Sequence, residues 1–266
     1  GSLVLPMGYY GLQQKLLRKE VTLEEMNKEY EKLARMNTDW FDILFRNSFN
    51  HSHSLGISGG SEKIQNRTSL GYTQEKGEAR GNDMRSFTMS SNTTVSLWER
   101  MVLNLSLNGS VRNVEGFAYD VDPFNYAYNT SRAIPAYNED GSLFYHEKIG
   151  STSTAIGGKT TYNYNILNEL ANTGSENETR TWSATVDLQW EILLGLSYQG
   201  LFSYSSASAD TEQYAGERSF YISSFRGYEY GSVSPNGNET KCTRLPMGGL
   251  QESSLTNTKG ISVRNS

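Results

Sequence analysis

Two histidines at the start of the first alternating segment come nearest, in type and spacing, to a metal site. His51 and His53 are separated by one residue, so a β-strand would place both imidazoles on one face. Zinc sites in proteins use three or four protein ligands, and the sequence places no third ligand beside this pair. We therefore interpret the two residues as surface or interfacial histidines and expect no metal.

Other catalytic patterns are equally weak. Asp120 and Asp122 flank a loop, but a calcium loop requires more oxygen ligands at defined spacing. The sequence contains no glycine-rich phosphate loop. Because no nucleophile–base or acid–base pair is indicated, we expect a protein that is not an enzyme and that uses no cofactor.

A segment rich in aromatic residues, at about 113–150, is the best candidate for binding. Aromatic faces beside polar groups bind sugars or peptides by stacking and hydrogen bonding. The alternative is that these rings pack the loop on itself or on a partner protein. The candidate ligand-facing or partner-facing residues are Phe124, Tyr126, Tyr128, Tyr137 and Tyr145. A second aromatic segment, at about 207–253, is a further candidate for the same contact.

Alternation of apolar and polar residues from position 49 onward predicts the elements that carry these loops. Seven runs alternate with period two, most of them 9–13 residues long, which indicates β-strands. The clearest run alternates Trp182, Ala184 and Val186 with serine, threonine and aspartate. Tight turns are expected at Gly59-Gly60, at Trp98-Glu99-Arg100 and at Trp190-Glu191-Ile192.

Residues 22–46 form the only clear helical stretch in the sequence. Thr22 and Glu25 have the spacing of a capping box. A second short helix is expected to start at Asn37 or Thr38 and to carry Trp40. We interpret this region as a packed connector.

Composition excludes several classes of protein. The chain has 266 residues and a net charge of 24 − 29 = −5, and no basic stripe favours nucleic-acid binding. The longest apolar runs, such as Ile192-Leu193-Leu194, are far shorter than the roughly 20 residues of a membrane helix. The single cysteine, Cys242, excludes a disulfide scaffold.

Alternating strands suit either a soluble sandwich or a transmembrane barrel. The strand lengths match the roughly 9–11 residues that cross a bilayer at a tilt. The polar faces carry serine, threonine and asparagine, as a wet lumen permits, and aromatic residues cluster at strand ends. These features favour an antiparallel transmembrane β-barrel.

Several motifs resemble the SusC/RagA family of TonB-dependent outer-membrane transporters. They occur in order along residues 37–250, which makes the resemblance specific. The motifs are residues 37–46 (NTDWFDILFR), 53–62 (HSLGISGGSE), 67–77 (RTSLGYTQEKG), 122–124 (DPF), 134–138 (IPAYN) and 245–249 (LPMGG).

The resemblance implies about seven strands of a 22-stranded barrel in the outer membrane of a Gram-negative, Bacteroidetes-like bacterium. Residues 1–48 would be a helical loop segment between barrel strands. Residues 49–266 would be a partial barrel with long extracellular loops at about 113–178 and 207–253. Implied partners are a SusD-like surface lipoprotein, outer-membrane lipid, an oligosaccharide or peptide ligand, and the TonB complex acting through a plug absent from these residues.

Two expectations follow for function. The chain is expected to be part of an importer of oligosaccharides or peptides, and to be unable to transport by itself because an open barrel leaves unpaired edges in lipid. The alternative is a secreted or surface-attached all-β module that binds glycans or acts as an adhesin. The two differ in whether the face that carries Leu103, Leu105 and Leu107 meets lipid or is buried in protein.

Overall fold

The computed structural model describes residues 8–150, 160–232 and 245–266. Residues 151–159 and 233–244 of the two predicted long loops lie outside the described residues, and Cys242 is among them. Three helices precede the sheet: α1 (Gly8–Leu17), α2 (Leu23–Arg35) and α3 (Trp40–Leu44). Three more lie in the connections between strands: α4 (Pro123–Asn129), α5 (Ile166–Asn172) and α6 (Phe220–Arg226). None of the helices in the described residues has the length and hydropathy needed to cross a bilayer.

Seven strands form one antiparallel sheet in which every strand pairs with the next sheet strand along the chain. They are β1 (Phe49–Gly60), β2 (Ile64–Lys76), β3 (Asp83–Trp98), β4 (Met101–Gly116), β7 (Thr173–Leu193), β8 (Leu196–Ala215) and β9 (Leu250–Asn265). A small separate hairpin, β5 (His146–Ile149) with β6 (Thr161–Tyr164), lies between β4 and β7. The prediction of an all-β antiparallel sheet of about seven strands is confirmed.

The strands are longer than predicted. They span 12 to 21 residues, whereas the alternation indicated mostly 9–13. The largest difference arises at one end of β7 and β8, where pairing continues from Thr173↔Ala215 to Thr181↔Ala207 through residues that are mostly polar. Hydrophobic alternation marks only the part of a strand with one apolar face, so the polar extensions gave no signal.

Two of the predicted turns are displaced. The β1–β2 turn lies at residues 61–63, because Gly59 and Gly60 still pair with β2. The β7–β8 turn lies at Leu194-Gly195, where Gly195 has a φ of 84°, a left-handed conformation that glycine adopts without strain. The turn at Glu99-Arg100 agrees with the prediction.

The connectivity separates short turns from long connections. The three tight turns, at 61–63, 99–100 and 194–195, lie at one end of the sheet. The helices before β1, a six-residue loop at 77–82, and two long connections lie at the other end. We call residues 117–172 the first connection and residues 216–249 the second connection.

Helix α2 is capped by Thr22, as predicted. The Thr22 side chain accepts a hydrogen bond from the Glu25 backbone N–H, and the Glu25 carboxylate accepts one from the Thr22 N–H, which completes the capping box. The third helix starts at Trp40, two or three residues later than expected, because Asp39 caps it. Helix α1 was not predicted; it lacks an acidic first turn, and its apolar residues do not follow a clear helical stripe.

The main hydrophobic cluster of the described residues lies in the loops and not in the sheet. We call it the loop core. It joins α3, α4, α6 and the small hairpin, and its buried members are Trp40, Leu44, Val121, Ala127, Ala136, Tyr162, Tyr164, Ile166 and Phe220. The loops at this end of the sheet are therefore packed against one another as a folded unit.

Removing a loop-core side chain is expected to destabilise this unit. Leu44 is fully buried, so Leu44→Ala should lower its local free energy of unfolding by about 2–5 kcal/mol. Leu17→Ala is the matched control, because Leu17 is 82% exposed and its loss should change stability by at most about 0.5 kcal/mol. Native-state hydrogen exchange of residues 40–44 measures both, and equal effects would contradict the assignment of the core.

Candidate functional site

The seven-stranded sheet has two chemically different faces. Strand pairing places apolar residues side by side across neighbouring strands: one row contains Leu105, Val186, Phe202 and Val263. A parallel row on the same face contains Leu107, Ala184, Tyr204 and Ile261. Many of these side chains are open to solvent, with Ile261 70% and Leu107 50% exposed. This apolar face is therefore uncovered by the described elements.

The opposite face is dominated by small hydroxyl and amide side chains. One row across it contains Asn92, Ser106, Thr185, Ser203 and Ser262. Many of these groups bond to each other: Ser106 donates to Asn92 at 2.7 Å, and the Thr185 and Ser203 hydroxyls are 3.0 Å apart. This face suits contact with water and polar solutes.

An anchored carboxylate is the main charged feature of the polar face near the tight turns. Gln189 and Gln199 donate to Asp187 at 2.9 and 3.1 Å, and Asn104 donates at 3.4 Å. Thr94 in turn donates to Asn104 at 2.9 Å. The amide groups fix the position of the Asp187 carboxylate on the polar face.

The five aromatic residues singled out in the sequence occupy different environments. Phe124 and Tyr128 are strongly exposed on α4, at 60% and 74%. Tyr137 and Tyr145 are about half exposed, and the Tyr145 hydroxyl donates to Asn168 at 3.2 Å. Tyr126 instead points into the loop core, where its ring meets Trp40 edge-on at 5.0 Å.

Helices α3 and α4 fix the orientation of the exposed rings. Asp39 caps α3 by accepting from two backbone N–H groups, at 3.1 and 3.2 Å, and Asp122 caps α4 by accepting from Asn125 at 3.0 Å. Arg132, just after α4, pairs with the Asp39 carboxylate at 3.0 Å. The two short helices are therefore tied together as one support.

A buried carboxylate, which sequence reasoning missed, joins the two long connections. The Glu169 carboxylate accepts from the Phe220 backbone N–H at 2.9 Å, although Glu169 itself is only 2% exposed. The Lys148 ammonium lies 4.1 Å from the centre of the Tyr164 ring, a cation–π contact. Burial raises the pKa of Glu169 and lowers that of Lys148. The periodicity gave no signal because these residues lie in short, irregular elements.

The second connection is held by Arg226. Its guanidinium is almost fully buried and donates to the Leu245 and Gly248 carbonyls at 2.9 and 3.0 Å. It also pairs with Glu217 at 3.1 Å. These bonds hold the motif at residues 245–249, which directly precedes β9, to helix α6.

His146 lies within the aromatic part of the loop core. Its Nε2 is 3.1 Å from the Tyr126 hydroxyl, and its ring packs against Tyr164 with 5.5 Å between ring centres. Burial is the main cause that lowers the pKa of His146, and the nearby Lys148 charge adds to it. The neutral imidazole is therefore the form that the fold favours.

The two predicted strand histidines pack on each other. His51 and His53 have ring centres 5.4 Å apart on β1, and His51 also meets Tyr72. Within residues 8–150, 160–232 and 245–266, no three His, Cys, Asp or Glu side chains gather as a metal ion would require.

Two curated relatives of the chain are TonB-dependent receptors. No family model matches the chain. The chain is 32% identical over 133 residues to the TonB-dependent receptor SusC of Bacteroides thetaiotaomicron, an alignment that covers 46% of this chain and 12% of SusC. It is 28% identical over 116 residues to the TonB-dependent receptor P26 of Formosa agariphila, covering 43% and 11%.

Solved structures of a transporter share the fold. The RagAB peptide transporter aligns with a TM-score of 0.55 at 16% identity, covering 70% of this chain and 21% of that chain. The RagAB peptide importer in its open-open state aligns with a TM-score of 0.56 at 13% identity, covering 85% and 30%. The present chain thus spans only a small part of each relative.

The fold is that of part of a TonB-dependent transporter barrel, seen as an open sheet. The chain is thus similar to SusC in sequence and to RagAB in fold, which confirms the resemblance carried by its sequence motifs.

Acidification is expected to loosen the loop core through His146. Because the folded-state pKa of His146 lies below its ordinary value of 6.5, its contribution is fully present above about pH 6.5 and is lost as the pH falls below it. Hydrogen exchange in residues 123–129 at pH 7.5 and pH 5 measures the loss. The raised pKa of Glu169 acts in the opposite direction at low pH, so the reference is His146→Gln. A wild-type protein that shows no more pH dependence than His146→Gln would contradict the assignment.

Proposed function

We propose that the seven strands form part of the wall of a TonB-dependent transporter in the outer membrane, with the apolar face toward lipid and the polar face toward the lumen. The observation that carries the proposal is the register, which aligns exposed apolar side chains across the sheet on one face and hydroxyl side chains on the other. A transmembrane barrel requires exactly this alternation from every strand, and lipid is the medium that accepts an uncovered apolar face.

The dimensions of the apolar face support this proposal. Trp182 and Trp190 lie on the same face of β7, eight residues apart, which is about 26 Å along a strand at 3.3 Å per residue. A tilt of about 40° reduces this to a height of roughly 20 Å, close to the apolar band of about 25 Å between aromatic girdles. The rings that pair on this face, Trp182 with Tyr204 and Tyr72 with Phe87, suit the outer girdle.

This orientation assigns the two ends of the sheet. The tight turns would face the periplasm, and residues 1–48 with both long connections would face outward. We propose that this outer end meets a SusD-like lipoprotein, and that the imported solute is an oligosaccharide or a peptide. The names of the relatives support these assignments, since one is SusC and another is a peptide transporter.

Import itself would belong to a closed barrel with its plug and the TonB complex. The described sheet ends in two unpaired edges, β1 and β9, and unpaired backbone groups are costly in lipid. We therefore propose that these strands contribute the wall and the outer loops, that they do not transport alone, and that the protein is not an enzyme.

Two adjacent positions on β7 test the orientation of the sheet. Ala184 lies on the apolar face beside Leu107 and Tyr204, and Ser183 lies on the polar face. In bilayers, Ala184→Arg should destabilise the folded protein by about 1–3 kcal/mol, because Ala184 lies on the lipid face between the outer girdle at Trp182 and the midplane, and the cost of arginine rises with depth. Ser183→Arg should cost much less, because its side chain would extend into water.

The measurement is urea-induced unfolding from lipid vesicles, followed by tryptophan fluorescence. Because both variants introduce the same side chain one residue apart on the same strand, β-propensity and net charge are matched. Equal destabilisation, or a larger loss from Ser183→Arg, would contradict the proposed orientation.

A further inference from the structure

A groove lies on the apolar face of the sheet, toward the end that carries the two long connections. We call it the girdle groove. It has a volume of about 630 Å³, within the range of about 300–1,000 Å³ that is typical of ligand sites. Its lining on this face includes Leu70, Phe87, Met89, Gly109, Val111 and Trp182. The groove therefore lies at the level of the rings assigned above to the outer girdle.

The glycine at position 109 opens this groove. Strand pairing places Gly109 between Met89 on β3 and Trp182 on β7, both of which have large side chains. Gly109 does not have a positive φ, and a Cβ atom there would lie 3.8 Å from the Thr181 carbonyl oxygen, an ordinary contact. The backbone therefore does not require glycine at this position, and the missing side chain provides space on the apolar face.

A polar patch borders the groove on the next two strands. On the apolar face, Trp182 pairs with Ser206, which in turn pairs with Lys259. One row further out, Arg180 pairs with Ser208. Two strand spacings and one step of two residues separate Arg180 from Lys259, which is about 12 Å between Cα atoms. Both side chains are long, so their charged groups can converge on one group held above the two serines.

Charge along this part of the face has a fixed order. In the described sheet, the rows of Trp182 and of Arg180 contain no carboxylate. Acidic side chains begin in the next row outward, where Glu178 lies opposite Asp210. Arg180 forms an ion pair with Glu178, whereas Lys259 is exposed and has no ion-pair partner among the described residues. From the groove outward, the surface is thus apolar, then cationic, then acidic.

We propose that the girdle groove and its polar patch bind one phosphatidylethanolamine molecule from the surrounding bilayer. An acyl chain fills the space at Gly109. The phosphate accepts charge-assisted hydrogen bonds from Arg180 and Lys259, and the ammonium donates them to Glu178 and Asp210. The lipid has the same order of groups as the surface, because its ammonium lies beyond the phosphate on a short linker. The inference rests on the proposed function, since it requires the apolar face to meet lipid.

The charge order selects among phospholipids. Phosphatidylcholine has a methylated ammonium that cannot donate a hydrogen bond to a carboxylate, and phosphatidylglycerol has no cation to place beside the acidic row. An apolar face that is covered only by bulk lipid would distinguish none of these headgroups. Preference for the ethanolamine headgroup is therefore the property that separates a site from the general lipid surface.

The test uses the full chain in phosphatidylcholine vesicles that contain a second phospholipid with brominated acyl chains, which quench tryptophan fluorescence on contact. Trp98→Phe with Trp190→Phe leaves Trp182 as the reporter of the groove, and Trp98→Phe with Trp182→Phe leaves Trp190. Trp40 stays in both, because it is buried in the loop core. At Trp182, we expect a relative association constant at least about threefold higher for brominated phosphatidylethanolamine than for brominated phosphatidylcholine. At Trp190, near the tight turns, the ratio should be about one.

Four variants assign the preference to the groove. Gly109→Leu fills the space for the acyl chain and Arg180→Gln removes a phosphate contact, so each should lower the ratio at Trp182 toward one. Glu178→Gln should shift the preference toward brominated phosphatidylglycerol. Ala184→Leu is the matched control, because it adds a leucine to the same face outside the groove, and it should keep the preference.

The outcomes separate this inference from the proposed orientation. Equal quenching of Trp182 by the ethanolamine and choline lipids would overturn the inference and leave the orientation intact. If neither brominated lipid quenches Trp182, the orientation is wrong and the inference fails with it. A preference that persists in both Gly109→Leu and Arg180→Gln, or one that favours phosphatidylglycerol before any groove substitution, would also overturn the inference.

Discussion

A single antiparallel register across seven strands is the constraint on which the rest of the structure depends. Side chains alternate between faces with period two, so a slip of one residue in any pairing would move a whole strand's apolar residues to the polar face. In the described sheet, the register shifts fall only beside tight turns, between Ser96 and Trp98 and between Glu191 and Leu193. In the central part of the sheet, Leu103 pairs with Leu188 and Leu105 with Val186, whereas Ser106 pairs with Thr185.

The same register explains why the core of the described residues lies in the loops. A sheet that leaves its apolar face to lipid and its polar face to water has no interior of its own. In the proposed orientation, the segments at the outer end are surrounded by water and must bury their apolar surface against each other. They do so through Trp40, Tyr164 and Phe220, and they satisfy buried polar groups through Glu169 and Arg226. The sheet therefore leaves its apolar side chains exposed on one face, whereas the loop core buries them in its interior.

Sequence alone predicted the features that repeat. Alternation in β7 and β8 identified those strands because each apolar residue is followed by a polar one, and the capping box at Thr22 and Glu25 marked the start of α2. The polar ends of the long strands were missed, since pairing there depends on backbone hydrogen bonds rather than on a buried face. The short helices α4 to α6 were also missed, because seven residues give too little periodicity.

The candidate site was predictable only in part. An aromatic segment was visible, but which ring enters the core depends on tertiary packing: Tyr126 contacts Trp40, more than eighty residues earlier, whereas Phe124 and Tyr128 remain exposed. The clue that could have separated them is the four-residue spacing shared by Phe41 with Phe45 and by Phe124 with Tyr128. The bond from the Phe220 N–H to the Glu169 carboxylate had no such clue, because it joins residues that are distant in sequence.

Site-directed spin labelling of β4 in a lipid bilayer tests the central claim most directly. Single cysteines at positions 103 to 108, in a background with Cys242 replaced by serine, would be read for collision with oxygen, which concentrates in lipid, and with a water-soluble nickel complex. The account predicts high oxygen access at 103, 105 and 107 and high nickel access at 104, 106 and 108. Odd positions shielded from both reagents would show that protein covers this face, and the assignment of the sheet as a membrane wall would be wrong.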